Sequence, residues 1–96
     1  MTELEAEKLS IALMQVVSLL DQTAAYVQDK DQTEHWLKYR QAVGRAMAEV
    51  CLGLEEPLWQ RFPNLRPEGL GGPYLLDPTI FEPRFYAEPK PPTERT

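Results

Sequence analysis

The sequence predicts an all-α fold: an antiparallel helical hairpin, a short third helix, and an extended, proline-rich C-terminal arm. Three observations carry this. Apolar residues recur at helical spacing over two long stretches, a single short polar break separates them, and all nine prolines lie between Pro57 and Pro92. A short link between two long helices brings them back alongside each other. The chain of 96 residues therefore divides into a helical part, residues 1–62, and an irregular part, residues 63–96.

The first helix starts at a capping box. Thr2 accepts from the backbone of Glu5 and Glu5 reaches back to Thr2. From there to about Gln28 there is neither glycine nor proline, and Leu9, Leu13, Val16, Val17, Leu20, Ala24 and Val27 form a seam for a partner helix. Ile11, Met14 and Leu19 fall off that seam. A helix apolar on so much of its circumference needs cover from more than one side, so these three are expected to dock the arm or a second copy of the chain.

Gln28–Gln32 is the break, and the Asp31–Glu34 spacing suggests a second capping box. Trp36, Tyr39, Val43, Met47, Val50 and Leu54 follow as a stripe. Ala42, Gly44, Ala46 and Ala48 keep this helix slim enough for close approach of a neighbour. Gly53 is expected to terminate it in a left-handed cap. Glu55-Glu56-Pro57 then opens a third helix that turns Leu58, Trp59 and Phe62 towards the hairpin and ends before Pro63.

The arm repeats one pattern three times: Pro73-Tyr74-Leu75-Leu76-Asp77, Pro78-Thr79-Ile80-Phe81-Glu82 and Pro83-Arg84-Phe85-Tyr86-Ala87. Each unit has a proline, a variable residue and two bulky apolar ones. Aromatic content of this kind is foreign to disordered tails, so the arm is expected to pack on the hairpin, in cis or across a dimer. Beyond Pro89 nothing remains to bury, and that end is expected to be mobile.

Net charge is −5, and the whole excess lies in residues 1–56. Nucleic acid and anionic lipid surfaces are disfavoured as partners. Cys51 is single, the start lacks a basic leader, and the run Ile11–Leu20 is half a membrane span; these features point to the cytoplasm and to no membrane segment.

No catalytic, cofactor or metal pattern emerges. His35 and Cys51 lie about 24 Å apart on one helix and cannot share a site. His35 reads as a solvated helix-start residue and Cys51 as a small core residue. Asp29, Asp31 and Glu34 lack a cation-loop pattern, and Glu49, Glu55 and Glu56 read as solvated acids at a helix end. Gly69-Leu70-Gly71-Gly72 lacks the strand, helix and lysine of a phosphate loop. Pro89-Lys90-Pro91-Pro92 is too short to specify a polyproline ligand.

The expected function is non-enzymatic protein binding, as a small subunit or assembly factor. Trp36, Trp59, Tyr74, Phe81, Phe85 and Tyr86 are the expected anchors, because aromatic side chains dominate interface energetics. An acidic immunity protein or antitoxin acting on a basic target is a second reading. A small-molecule binder or enzyme with a pocket between hairpin and arm is a third. A homodimer through Ile11 and Met14 fits the first.

Overall fold

The computed structural model describes residues 1–87; the expectations for Pro89-Lys90-Pro91-Pro92 and for the chain end lie outside the described residues. Helix α1 spans Glu3–Lys30 and α2 spans Glu34–Val50. They form the predicted hairpin, and no strand occurs among the described residues. The capping box opens α1. Thr2 N–H donates to Glu5 Oε1 at 2.7 Å and Glu5 N–H to Thr2 Oγ1 at 3.1 Å. By length and composition alone α1 is long and apolar enough to cross a membrane. In the fold, α3 and the arm lie along parts of it, and most of its residues keep exposed or half-exposed surface.

The second cap differs from expectation. Asp31 belongs to the end of α1, where its N–H closes the last turn on Val27 at 2.8 Å. It then accepts from the backbone and hydroxyl of Thr33, at 3.2 and 2.6 Å. Thr33 is the cap of α2 and accepts from His35 N–H at 3.3 Å. The Asp31 carboxylate is taken up by Thr33, so the Thr33 hydroxyl caps α2 and the start moves two residues on.

Gly53 does not end α2. The chain continues through one wide turn, Cys51–Glu55, directly into α3, Glu56–Arg61. Glu56 N–H bonds to Cys51 C=O, the five-residue closure of a π turn. Pro57 explains the widening: it offers no N–H to Gly53 C=O and its ring would clash with that carbonyl in a regular helix. Phe62, at φ −128° and ψ 76°, ends α3 before Pro63.

Two short 3₁₀ turns, Pro63–Leu65 and Glu68–Leu70, then reverse the chain. Gly71 closes the second with φ +87°, where a side chain would be strained. A Cβ on Gly72 would collide with the backbone of Arg66. These glycines serve a tight reversal, with Glu68 N–H bonded to Tyr74 C=O and Tyr74 N–H to Arg66 C=O. A last 3₁₀ turn, Pro78–Phe81, is capped by Asp77, which accepts from Thr79 N–H at 2.9 Å.

The core is small and lies at the α3 end of the hairpin. Ala6, Met14, Leu58, Trp59 and Leu65 are its buried members, and Ile11, Leu13, Phe62, Tyr74, Leu76, Ile80 and Phe81 pack around them. Trp59 Nε1–H donates to Ser10 Oγ at 2.9 Å, both residues being buried, so the indole takes its hydrogen bond from α1. Ion pairing with Glu56 locks Arg66 at the rim of this core, its guanidinium lying 5.6 Å from the Trp59 ring. In the other half of the hairpin only Val43 of α2 is buried. Gly44 there faces open space, so the slim residues of α2 leave a gap instead of a tight helix contact.

Candidate functional site

Besides the face it turns to α2, α1 carries three stripes. The first, through Ala6, Ser10 and Met14, is closed by α3. The second, through Glu7, Ile11, Gln15, Gln22 and Asp29, holds the arm, which runs along α1 in the same direction as the helix. Tyr74 O–H donates to Glu7 Oε2 at 2.7 Å. Gln15 Nε2–H donates to Ile80 C=O at 2.8 Å. Gln22 Oε1 accepts from both Phe85 and Tyr86 N–H, at 2.6 and 3.1 Å, and its Nε2–H donates to Ser18 Oγ at 3.0 Å. Tyr86 O–H reaches Asp29 Oδ2 at 2.7 Å. Tyr26 packs its ring against Phe85 and Tyr86, with centroids 5.2 and 5.4 Å away. The bond from Tyr86 holds the Asp29 carboxyl below its ordinary range, and the bond to Glu7 pushes the Tyr74 phenol up.

The third stripe, through Leu9, Leu13, Val16, Leu20 and Val27, is only partly covered, with Leu13 packed against the core. Leu9 is 40% and Val16 45% exposed, and the other three are half-buried. Of the seam expected to face α2, Ala24 lines the groove towards it and Val17 shares a second groove with Met47 of α2. The approach is centred to one side of the seam, beside Asp21, Ala24, Ala25 and Gln28, across a polar-edged groove of about 440 Å³ that also touches Trp36, Arg40 and Val43. Near its α3 end the third stripe continues into a shallow apolar hollow of about 300 Å³, formed by Leu9 and Leu13 with Met1, Leu54, Pro57 and Leu58. Leu54 is exposed on its wall.

The residues expected to dock the arm or a dimer partner are placed as follows. Met14 is buried in the core, Ile11 packs against that core, and Leu19 stands beside the arm near Ile80, Phe81 and Phe85, with about half its surface exposed. Of the six expected anchors, Trp59 has no free face, since it is 3% exposed. Tyr74 and Phe81 are packed around the core, and Trp36 lines the groove between α1 and α2. Phe85 and Tyr86 come together against Tyr26, with Phe85 largely exposed.

A second groove, of about 400 Å³, lies where hairpin, α3 and arm meet. Met14, Val17, Met47, Trp59, Leu76 and Phe81 make its walls, and Cys51 and Glu55 open into it. Sequence reading missed Glu55. The sequence reads as a solvated helix-end acid there, yet Glu55 is only 4% exposed. Burial pushes its carboxyl above the ordinary range, and a hydrogen bond with the Cys51 thiol pulls partly the other way. Burial, then Glu55, likewise raise the Cys51 thiol, which is half-buried and not the closed core residue expected. The missed signal is the spacing Cys51, Glu55, Trp59, one face of an unbroken helix. Placing a stop at Gly53 concealed it.

Neighbouring Glu56 behaves differently, because Arg66 grips it and lowers its carboxyl. His35 is exposed at the start of α2. No cluster of three or more metal-ligating side chains occurs among the described residues. Set against known proteins, the chain matches no family model, no curated protein and no solved structure.

Proposed function

We propose that the protein is a non-enzymatic interaction protein that binds another helix through the third stripe of α1. The observation that carries this is the exposure of Leu9 and Val16 in a continuous row that also includes Leu13, Leu20 and Val27, beside exposed Leu54. Uncovered apolar rows on small proteins mark places where another surface is bound. From Leu9 to Leu20 the row repeats at steps of four, three and four residues, the seam of a helix pair, and Val27 lies one heptad beyond Leu20. The protein's net charge of −5 and the cytoplasmic reading favour a protein partner over an anionic membrane.

A second copy is the occupant that the charges favour. Glu5 stands one turn before Leu9, and Lys30 one turn after Val27. Antiparallel pairing of two α1 helices sets Glu5 of each against Lys30 of the other, while their rows interdigitate. Two hairpins so joined make a four-helix arrangement. Sedimentation equilibrium of the full chain tests it. A dimer that Leu9→Glu with Val16→Glu converts into a folded monomer is the expected result. A wild-type chain monomeric at high concentration would remove the second copy as occupant, and a monomer that also captures no partner on this face would end the reading.

The third sequence reading, a small-molecule binder, gains support from the groove between hairpin and arm, since a buried carboxyl opens there into walls that are mostly apolar.

A further inference from the structure

The groove below the arm holds an uncompensated requirement. Glu55 is a carboxyl with 4% of its surface exposed, and among the described residues no lysine or arginine pairs with it. The two cations that next follow Glu55 in the sequence are committed elsewhere: the Arg61 guanidinium lies 5.3 Å from the Phe62 ring centroid, and both terminal guanidinium nitrogens of Arg66 bond Glu56. Among the described residues the one side chain that bonds Glu55 is the Cys51 thiol, a weak donor. Around it the walls are thioether, aliphatic and aromatic, and the second acid of the lining, Asp21, adds negative charge at the exposed edge. The volume, about 400 Å³, falls in the range of small-molecule sites, which combine mostly apolar walls with a few polar groups that fix orientation.

We propose that this groove binds a small amphiphilic amine, its alkyl or aryl body along Met14, Met47, Leu76 and Phe81 and its ammonium on Glu55. The chemistry follows from the site. A buried carboxylate without a cation is costly, and a ligand that brings the cation into the same low-dielectric place gains a charge-assisted hydrogen bond. An anionic ligand meets two acids. A neutral one gains the apolar walls but leaves the carboxyl uncompensated. This site goes beyond the helix-binding reading. It shares no residue with the Leu9–Val16 row, so the two stand or fall separately.

Methyl NMR on the full-length protein labelled at methionine reads the site directly. Two of its three methionines, Met14 and Met47, line the groove, and Met1 sits in the hollow on the other stripe. The probes are octylammonium, 1-octanol and octanoate, each below its aggregation concentration at neutral pH. The expected result is saturable movement of the Met14 and Met47 signals, with octylammonium binding roughly tenfold more tightly than octanol and octanoate weakest. Glu55→Gln should bring octylammonium to the level of octanol while octanol binding stays as it was. Equal binding of amine and alcohol to the wild type would overturn the proposal. So would an amine preference that survives Glu55→Gln, or shifts confined to Met1. Leu9→Glu with Val16→Glu should leave the titration unchanged.

Discussion

The arm-bearing side of α1 and its uncovered side are both rich in apolar residues, yet only one is occupied within the chain. What separates them is their polar groups. The occupied side presents Glu7, Gln15, Gln22 and Asp29, which take up two tyrosine hydroxyls, one carbonyl and two amides of the arm. The uncovered row, Leu9 to Val27, offers side chains that cannot bond a backbone. A segment with three prolines in eleven residues, Pro73 to Pro83, forms no ladder of its own, so its polar groups need partners from the surface it lies on. Apolar surface alone therefore does not select the arm's place. A regular helix, whose backbone bonds are internal, suits the uncovered row better.

The comparison breaks most visibly at the core that supports both sides. Trp59→Ala should destabilise the fold by about 3–5 kcal/mol, the usual cost of emptying a buried aromatic site, and chemical denaturation measures it. Ser10→Ala, which keeps the ring but removes its acceptor, should cost about 1–3 kcal/mol. Equal losses from the two would mean that the hydrogen bond matters more than packing.

The arm side is sharpened at Gln22. Gln22→Ala removes the shared acceptor of Phe85 and Tyr86, at about 0.5–1.5 kcal/mol for each bond lost. Hydrogen exchange at those two amides should accelerate while Ile80 and Phe81 stay protected. Unchanged exchange would show that the Tyr26 ring contacts, not Gln22, hold that end.

On the uncovered side, Leu9→Glu and Val16→Glu touch no core contact and should alter monomer stability by no more than about 0.5 kcal/mol. Their effect belongs to association. Loss of the fold itself, seen by circular dichroism, would show that the row is already covered within the chain.

Glu55→Gln is the subtlest change. Burial raises the folded-state pKa of Glu55 above its unfolded value, so its contribution is fully present below the unfolded pKa and is lost as pH rises through the folded one. Glutamine does not ionise. The variant should melt higher than wild type in mildly alkaline buffer, with the advantage vanishing towards about pH 4, the ordinary glutamate range. A variant less stable at both ends would mean that the Cys51 bond outweighs the burial.

Much of the architecture was legible locally. Thr2 and Glu5 mark a helix start because cap and carboxyl are three residues apart, and Phe62-Pro63 marks a stop because proline constrains the residue before it. Misreadings came where one local rule met another. Gly53 carries the residue type of a terminator, but Pro57 four residues later opens a π turn that carries the helix past it. Asp31 and Thr33 are both cap residues, and the length of α1 decides between them.

The sequence by itself determined the all-α class, the two long helices, the short third one and an arm that is neither α-helix nor strand, because periodicity, caps and prolines act over a few residues. Only the tertiary structure decided which side of α1 each element occupies. Helix α1 is apolar through most of its circumference, so its pattern admits several rotations about its axis. Trp59 settled the choice by requiring a hydrogen-bond acceptor and finding it at Ser10. With α1 so turned, Gln15 meets the arm, Leu9 and Val16 are exposed, and Glu55 is enclosed by residues distant in sequence.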